Sequence, residues 1–95
     1  MLGLTRGLAV ELAAHNIQVN AILPGWIETD LNRERLRAAL GDHVRRKTPA
    51  RRLGLPDDLV GAAVFLCAPA SDFITGVALA VDGGYAVADR FWDGA

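Results

Sequence analysis

The sequence predicts an α/β fold built on a parallel sheet, and it predicts that this chain carries only part of that fold. Three observations lead there. A helical segment passes into a strand across a two-residue break, which is how parallel sheets are wound. The elements then run in the order helix, strand, helical excursion, helix, strand. Two parallel strands do not make a viable sheet on their own, so this order is half of a fold. The 95 residues suit one domain or part of one.

Residues 1–14 predict the first helix. Leu4, Leu8 and Leu12 share one face at i, i+4 spacing, and Leu2, Ala9 and Ala13 share another. Such a helix is apolar nearly all round and needs cover on more than one side. No N-cap precedes it, so the sequence opens as though already inside a helix, and a missing upstream portion is expected. His15-Asn16 ends it.

Ile17 to Leu23 alternates apolar and polar residues before a short apolar end, and predicts a strand that Pro24-Gly25 stops. Residues 26–55 differ in composition: eight of the ten basic residues lie between Arg33 and Arg52. Leu31, Leu36 and Leu40 predict one or two short helices there, with Gly41, Pro49 and Gly54 as breaks. A cleaner helix follows. Pro56 suits its first position, and Asp57 and Asp58 suit the positive end of its dipole. Leu59, Val60, Ala63, Val64 and Cys67 are expected as its buried stripe, and Pro69 ends it. Thr75-Gly76 turns the chain, Val77 to Val81 predicts the second strand, and Asp82-Gly83-Gly84 turns it again. Residues 85–95 form an unassigned tail.

Composition excludes several classes. Hydrophobic residues make up 52%, too many for a disordered chain. The net charge of −1 argues against a general nucleic-acid binder. No apolar stretch approaches the roughly 18 residues of a membrane span. Arg6 and Glu11 interrupt the first apolar run, so it does not read as a signal peptide. A lone cysteine, Cys67, forbids an internal disulfide and is expected as an inert core thiol, which makes the cytoplasm the default location. His15 and His43 lack metal-ligand spacing with Cys67 or with each other, and no metal site is expected.

Four stretches, in order, carry a family resemblance. They are Gly3–Ala13 with Ile17–Asp30, then Thr48–Asp58, then Ala70–Gly76, and finally Val81–Tyr85. Together they resemble the C-terminal half of short-chain dehydrogenases/reductases, of the sugar, sugar-acid or 3-oxoacyl reductase kind. The resemblance implies a Rossmann-like doubly wound sheet, with Ile17–Leu23 as its sixth strand and Val77–Val81 as its seventh. It implies NAD or NADP as cofactor, with Pro24, Gly25, Ile27 and Thr29 along the nicotinamide: the Ile27 backbone on the carboxamide, the Thr29 hydroxyl on the carboxamide or a phosphate. It also implies a substrate lid over 26–55, with Trp26 facing the pocket and Asp30 and Leu31 in the lid. Helix 1–14 and the C-terminal strand are implied as surfaces of a homo-oligomer.

The family's chemistry needs more than this. Its Gly-rich loop needs a strand, three spaced glycines and a helix; Gly3-x-x-x-Gly7 has no strand before it and reads as close helix packing. Its Tyr-x-x-x-Lys pair moves the proton, the Lys lowering the Tyr pKa. Here the only Tyr is Tyr85 and the only Lys is Lys47, in the wrong order, so no catalytic residue is assigned. The expectation is a chain that supplies the nicotinamide-side loop, lid and oligomer surfaces, binds nucleotide weakly or not at all by itself, and is inactive alone. The alternative is a non-catalytic module that associates with a complementary chain. A third class, an anion or nucleic-acid binder using Arg33–Arg52, is set against a plain solvated lid face balanced by Glu34 and Asp42.

Overall fold

The computed structural model describes residues 2–91. Helix α1 spans Leu2–Leu12 and tightens into a 3-10 turn over Ala13–His15. Asn16 closes it in the left-handed region, φ 59°, where Asn is tolerated better than other side chains. Its N–H donates to the Ala13 carbonyl at 3.0 Å, and the Ile17 N–H returns to the Leu12 carbonyl at 3.3 Å. Strand β1 is Ala21–Pro24, α2 is Arg33–Arg37 and α3 is Ala39–Lys47. A 3-10 turn over Pro56–Leu59 leads into α4, Val60–Cys67, and β2 is Ala78–Val81. A further 3-10 turn covers Tyr85–Val87.

The two strands pair in parallel. Ala21 N–H donates to Val77 C=O at 2.9 Å and Gly25 N–H to Val81 C=O at 3.1 Å, with the same sequence offset at both ends. This is the expected α/β order with its parallel sheet. The first strand is shorter than predicted. Residues 17–20 lie before the assigned strand; the Val19 carbonyl still accepts the Gly76 N–H at 2.8 Å, and side chains add further ties. Gln18 Nε2 donates to the carbonyls of Ser71 and Ile74. Asn20 bridges, Nδ2 to Ile74 C=O at 3.3 Å and Oδ1 from Val77 N–H at 3.1 Å. These two side-chain amides add to the backbone bond at Val19.

The described residues fall into two compact units. One holds the chain up to Leu23 with Val60–Leu79; the other holds Pro24–Leu59 with the chain from Ala80 onward. In the first, the buried line of α1 is Thr5 and Ala9, not the leucine face, and Leu4 stays 63% exposed. Small residues win because Gly76 comes close: a Cβ built on it would sit 3.5 Å from that of Ala9. Ser71 is fully buried, its hydroxyl donating to the Leu66 and Ala68 carbonyls.

The expected buried stripe of α4 is absent. None of its residues is buried, and Cys67 is exposed. The reason is dimensional. Two strands are only about 5 Å apart, and a helix with its side chains is roughly 10 Å across, so this sheet cannot cover it.

In the second unit Leu36, Val44 and Thr48 are buried. Gly41, predicted as a break, lies inside α3 and is buried. A Cβ there would meet the Leu36 carbonyl oxygen at 1.6 Å, so only glycine lets α2 and α3 approach this closely. Of the expected tail 85–95, residues 92–95 lie outside the described residues.

Candidate nucleotide-side loop and pocket

Ligands of open α/β sheets bind outside the carboxyl ends of the strands. Here β1 ends at Pro24 and leads into Gly25-Trp26-Ile27. Gly25 is pressed on the chain after β2: a Cβ on it would lie 2.8 Å from Asp82 Cα. Ile27 then makes a parallel bridge with Gly54. The bonds of that bridge are Gly54 N–H to Trp26 C=O and Glu28 N–H to Gly54 C=O, each 2.8 Å. Because a strand's groups alternate in direction, the N–H and C=O of Ile27 itself point to the opposite side. Its carbonyl accepts from Asn32 Nδ2 at 2.9 Å. Gly54 is required for the bridge, since a Cβ would strike Ile27 Cδ1 at 2.5 Å.

Asn32 fastens the next turn. Its Oδ1 accepts the Thr29 N–H at 2.7 Å while its N–H donates to Thr29 C=O at 3.3 Å. Sequence reasoning missed Asn32; an Asn just before a helix is a capping signal, but this side chain reaches back to the loop rather than forward to α2. Arg33 pairs with Asp30 at 3.0 Å and Glu28 at 3.4 Å, not with Glu34 or Asp42. Leu31 is 98% exposed.

A pocket of about 130 Å³ lies beside this loop. Of the seven residues singled out in the sequence, Trp26 and Ile27 line it; Pro24, Gly25, Thr29, Asp30 and Leu31 do not. Its other walls include Thr48, Ala50, Gly83 and the Arg52–Asp58 pair. Those two make a double contact, Nη1 to Oδ2 at 2.7 Å and Nη2 to Oδ1 at 3.0 Å. Asp58 Oδ2 also accepts the Leu55 N–H at 2.7 Å. Asp58 is thus more than a dipole partner: it ties Arg52 to the start of the 3-10 turn. The Arg52 guanidinium, then the Leu55 amide, lower its carboxyl from 3.8 to about 2. Asp58 in turn raises Arg52. Arg51, just before, adopts φ 65° to make the bend.

A carboxylate held this low by Arg52 is a weak base at neutral pH, which does not suit Asp58 to proton transfer. Tyr85 and Lys47, distant in sequence, do meet in space. The Lys47 ammonium sits 3.9 Å from the Tyr85 ring centroid and donates to the Tyr85 carbonyl at 3.1 Å, a stacked pair rather than a Tyr-x-x-x-Lys arrangement. Among the described residues no three His, Cys, Asp or Glu side chains come together as metal ligands.

Residues 1–86 match the family described as enoyl-(acyl carrier protein) reductase. The chain belongs to the short-chain dehydrogenase/reductase family. It is 51% identical over 86 residues to 5-keto-D-gluconate 5-reductase of Escherichia coli K12, covering 90% of this chain and 34% of that protein. It is 49% identical over 87 residues to 2-dehydro-3-deoxy-D-gluconate 5-dehydrogenase of Dickeya dadantii, again covering 90% and 34%. Among solved structures, it resembles a gluconate 5-dehydrogenase from Burkholderia cenocepacia in complex with NADP and tartrate, at 44% identity and a TM-score of 0.85. That match covers 92% of this chain and 34% of the other. The chain therefore spans about a third of these relatives, and its fold is that of the C-terminal part of their Rossmann-like sheet. No helix among the described residues is long and apolar enough to cross a membrane.

Proposed function

We propose that this short-chain dehydrogenase/reductase segment forms the nicotinamide-side loop and the substrate lid of an NAD(P)-dependent oxidoreductase. The reaction is hydride transfer between nicotinamide and a carbonyl or secondary alcohol. The supporting observation is the direction of the Ile27 amide. Its neighbours on either side are spent on Gly54, which turns the Ile27 N–H outward at the carboxyl end of β1. A fixed outward amide suits a carboxamide oxygen, so Pro24, Gly25, Ile27 and Thr29 would hold the nicotinamide, which when bound supplies or accepts the hydride. The turn fastened by Asn32 holds Thr29 in register with Ile27.

Residues 26–55 form the lid, with Trp26, Asp30 and Leu31 on the substrate side. The substrate is a small sugar acid: the lid's surplus of arginine suits a carboxylate, and the relatives named above act on keto- and dehydro-gluconates. The cofactor is NAD or NADP, the location cytoplasmic, and helix 1–14 with the C-terminal strand joins copies in a homo-oligomer. The sequence holds no Tyr-x-x-x-Lys pair.

Amide NMR of the chain titrated with NADP tests the loop assignment. Shifts confined to 25–29 support it, even at millimolar affinity. Shifts elsewhere with 25–29 unmoved contradict it.

A second reading has its own support. The sole Tyr and Lys are engaged with each other, and α4 exposes Val60, Val64 and Phe65. A non-catalytic module that completes its sheet with another chain fits those facts. Recovery of a stoichiometric second polypeptide from the source cells would favour it.

A further inference from the structure

The outer stripe of α3 is held by the chain that follows β2. His43, Arg46 and Lys47 lie at i, i+3 and i+4 and form one stripe of α3, with His43 and Arg46 exposed and Lys47 at its border with the buried Val44. Each meets an aromatic ring. The His43 ring lies 5.0 Å from that of Phe91, and the Arg46 guanidinium 5.7 Å from the same ring. Lys47 stacks on Tyr85 and donates to its carbonyl. The connection continues into the pocket wall. Ala50 N–H donates to Gly83 C=O at 3.0 Å, and a Cβ on Gly83 would lie 3.0 Å from both Thr48 and Ala50. Pro49 closes on Gly84 in the same way.

We infer that Tyr85 and Phe91 are positioning residues, a strap that holds the C-terminal end of α3 and so sets the Thr48–Ala50 wall of the Trp26 pocket. Two features of the contacts point to a strap rather than to ordinary core packing. The rings meet cations at the helix's last turn, where Arg45, Arg46 and Lys47 gather. Phe91 itself is 45% exposed, whereas Leu36 and Val44 are 1% exposed, so its contacts lie outside that core and can open without unmaking it. Release of the strap frees the last turn of α3 while Gly41 still locks α3 to α2 at the other end. The consequence for a substrate rests on the proposed reading of 26–55 as a lid; the strap itself does not.

Hydrogen exchange on the intact chain, with no nucleotide present, tests it. Tyr85→Ala and Phe91→Ala are expected to speed exchange of the 44–47 amides about tenfold, the loss of one cation–ring contact and its packing. Exchange in α1 should not change. Lys47→Met should behave as Tyr85→Ala does, whereas Tyr85→Phe and Lys47→Arg, which keep the ring and the cation, should stay close to the parent. Unchanged exchange in 44–47 overturns the inference. So does Tyr85→Phe behaving like Tyr85→Ala, or equal acceleration of α1, which would make the segment a core element. Because no nicotinamide is used, these results stand or fall apart from the NADP titration.

Discussion

Gly41 and Asp58 show how single residues set this site. Gly41 has no room for a methyl group, with the Leu36 carbonyl 1.6 Å from where a Cβ would be. Gly41→Ala must therefore prise α2 from α3 and is expected to cost about 3 kcal/mol, the upper range for overpacking, in denaturant unfolding. A variant as stable as the parent would mean that the helices cross less tightly. Asp58 contributes to the pH dependence, beside Asp89, whose carboxyl Arg90 also lowers. The folded value of Asp58 is depressed from 3.8 to about 2, so the carboxylate stabilises the fold above pH 3.8 and stops doing so as pH falls through about 2. An NMR titration of the Asp58 carboxyl should give a midpoint near 2, and Asp58→Asn should remove that acid-side loss. A midpoint at 3.8 would show that the Arg52 contact does not persist in solution.

The elements explain why some of this was legible and some was not. The helix–strand–helix–strand order, the Asn16 stop, the Gly76 turn and β2 were all readable from local signals: periodicity, a left-handed Asn and turn glycines. The inner faces were not. A leucine stripe announces an apolar face, but which face is buried depends on what approaches it. In α1 the residues buried are Thr5 and Ala9, the latter against Gly76, and in α4 the narrow sheet left Val64 and Cys67 uncovered. Gly41 was misread for the same reason, since a helix crossing and a loop both call for glycine. Exposed apolar surface of this extent favours association. Val64 and Phe73 are 63% and 104% exposed, so Val64→Lys and Phe73→Lys should raise solubility and shift stability by no more than about 0.5 kcal/mol. Light scattering beside a denaturant curve checks both; a collapse in stability would show that these side chains are packed in solution.

At the scale of the whole molecule, the family was legible because four motifs stand in order, and the match over residues 1–86 bears that out. The candidate site was legible in outline. Pro24 to Ile27 was recognisable from its place after a strand, but the partners that fix it come from afar: Gly54 and Asp82 in chain distance, and Asn32 by a backward reach that no capping rule foresees. The arginine-rich segment 33–52 is less open to polyanions than its composition suggests, because Arg33 and Arg52 are paired with carboxylates and Lys47 with a ring. Retention on a polyanion column should accordingly be weak at physiological salt; tight, steeply salt-dependent retention would revive an anion-binding role. The central claim is that these residues hold nicotinamide and substrate but move no proton. Its most direct test is an assay of the purified 95-residue chain with NADH or NADPH and 5-keto-D-gluconate. No nucleotide oxidation above the blank is predicted. Steady turnover by the chain alone would contradict the claim, for a group other than a Tyr-x-x-x-Lys pair would then be carrying the proton.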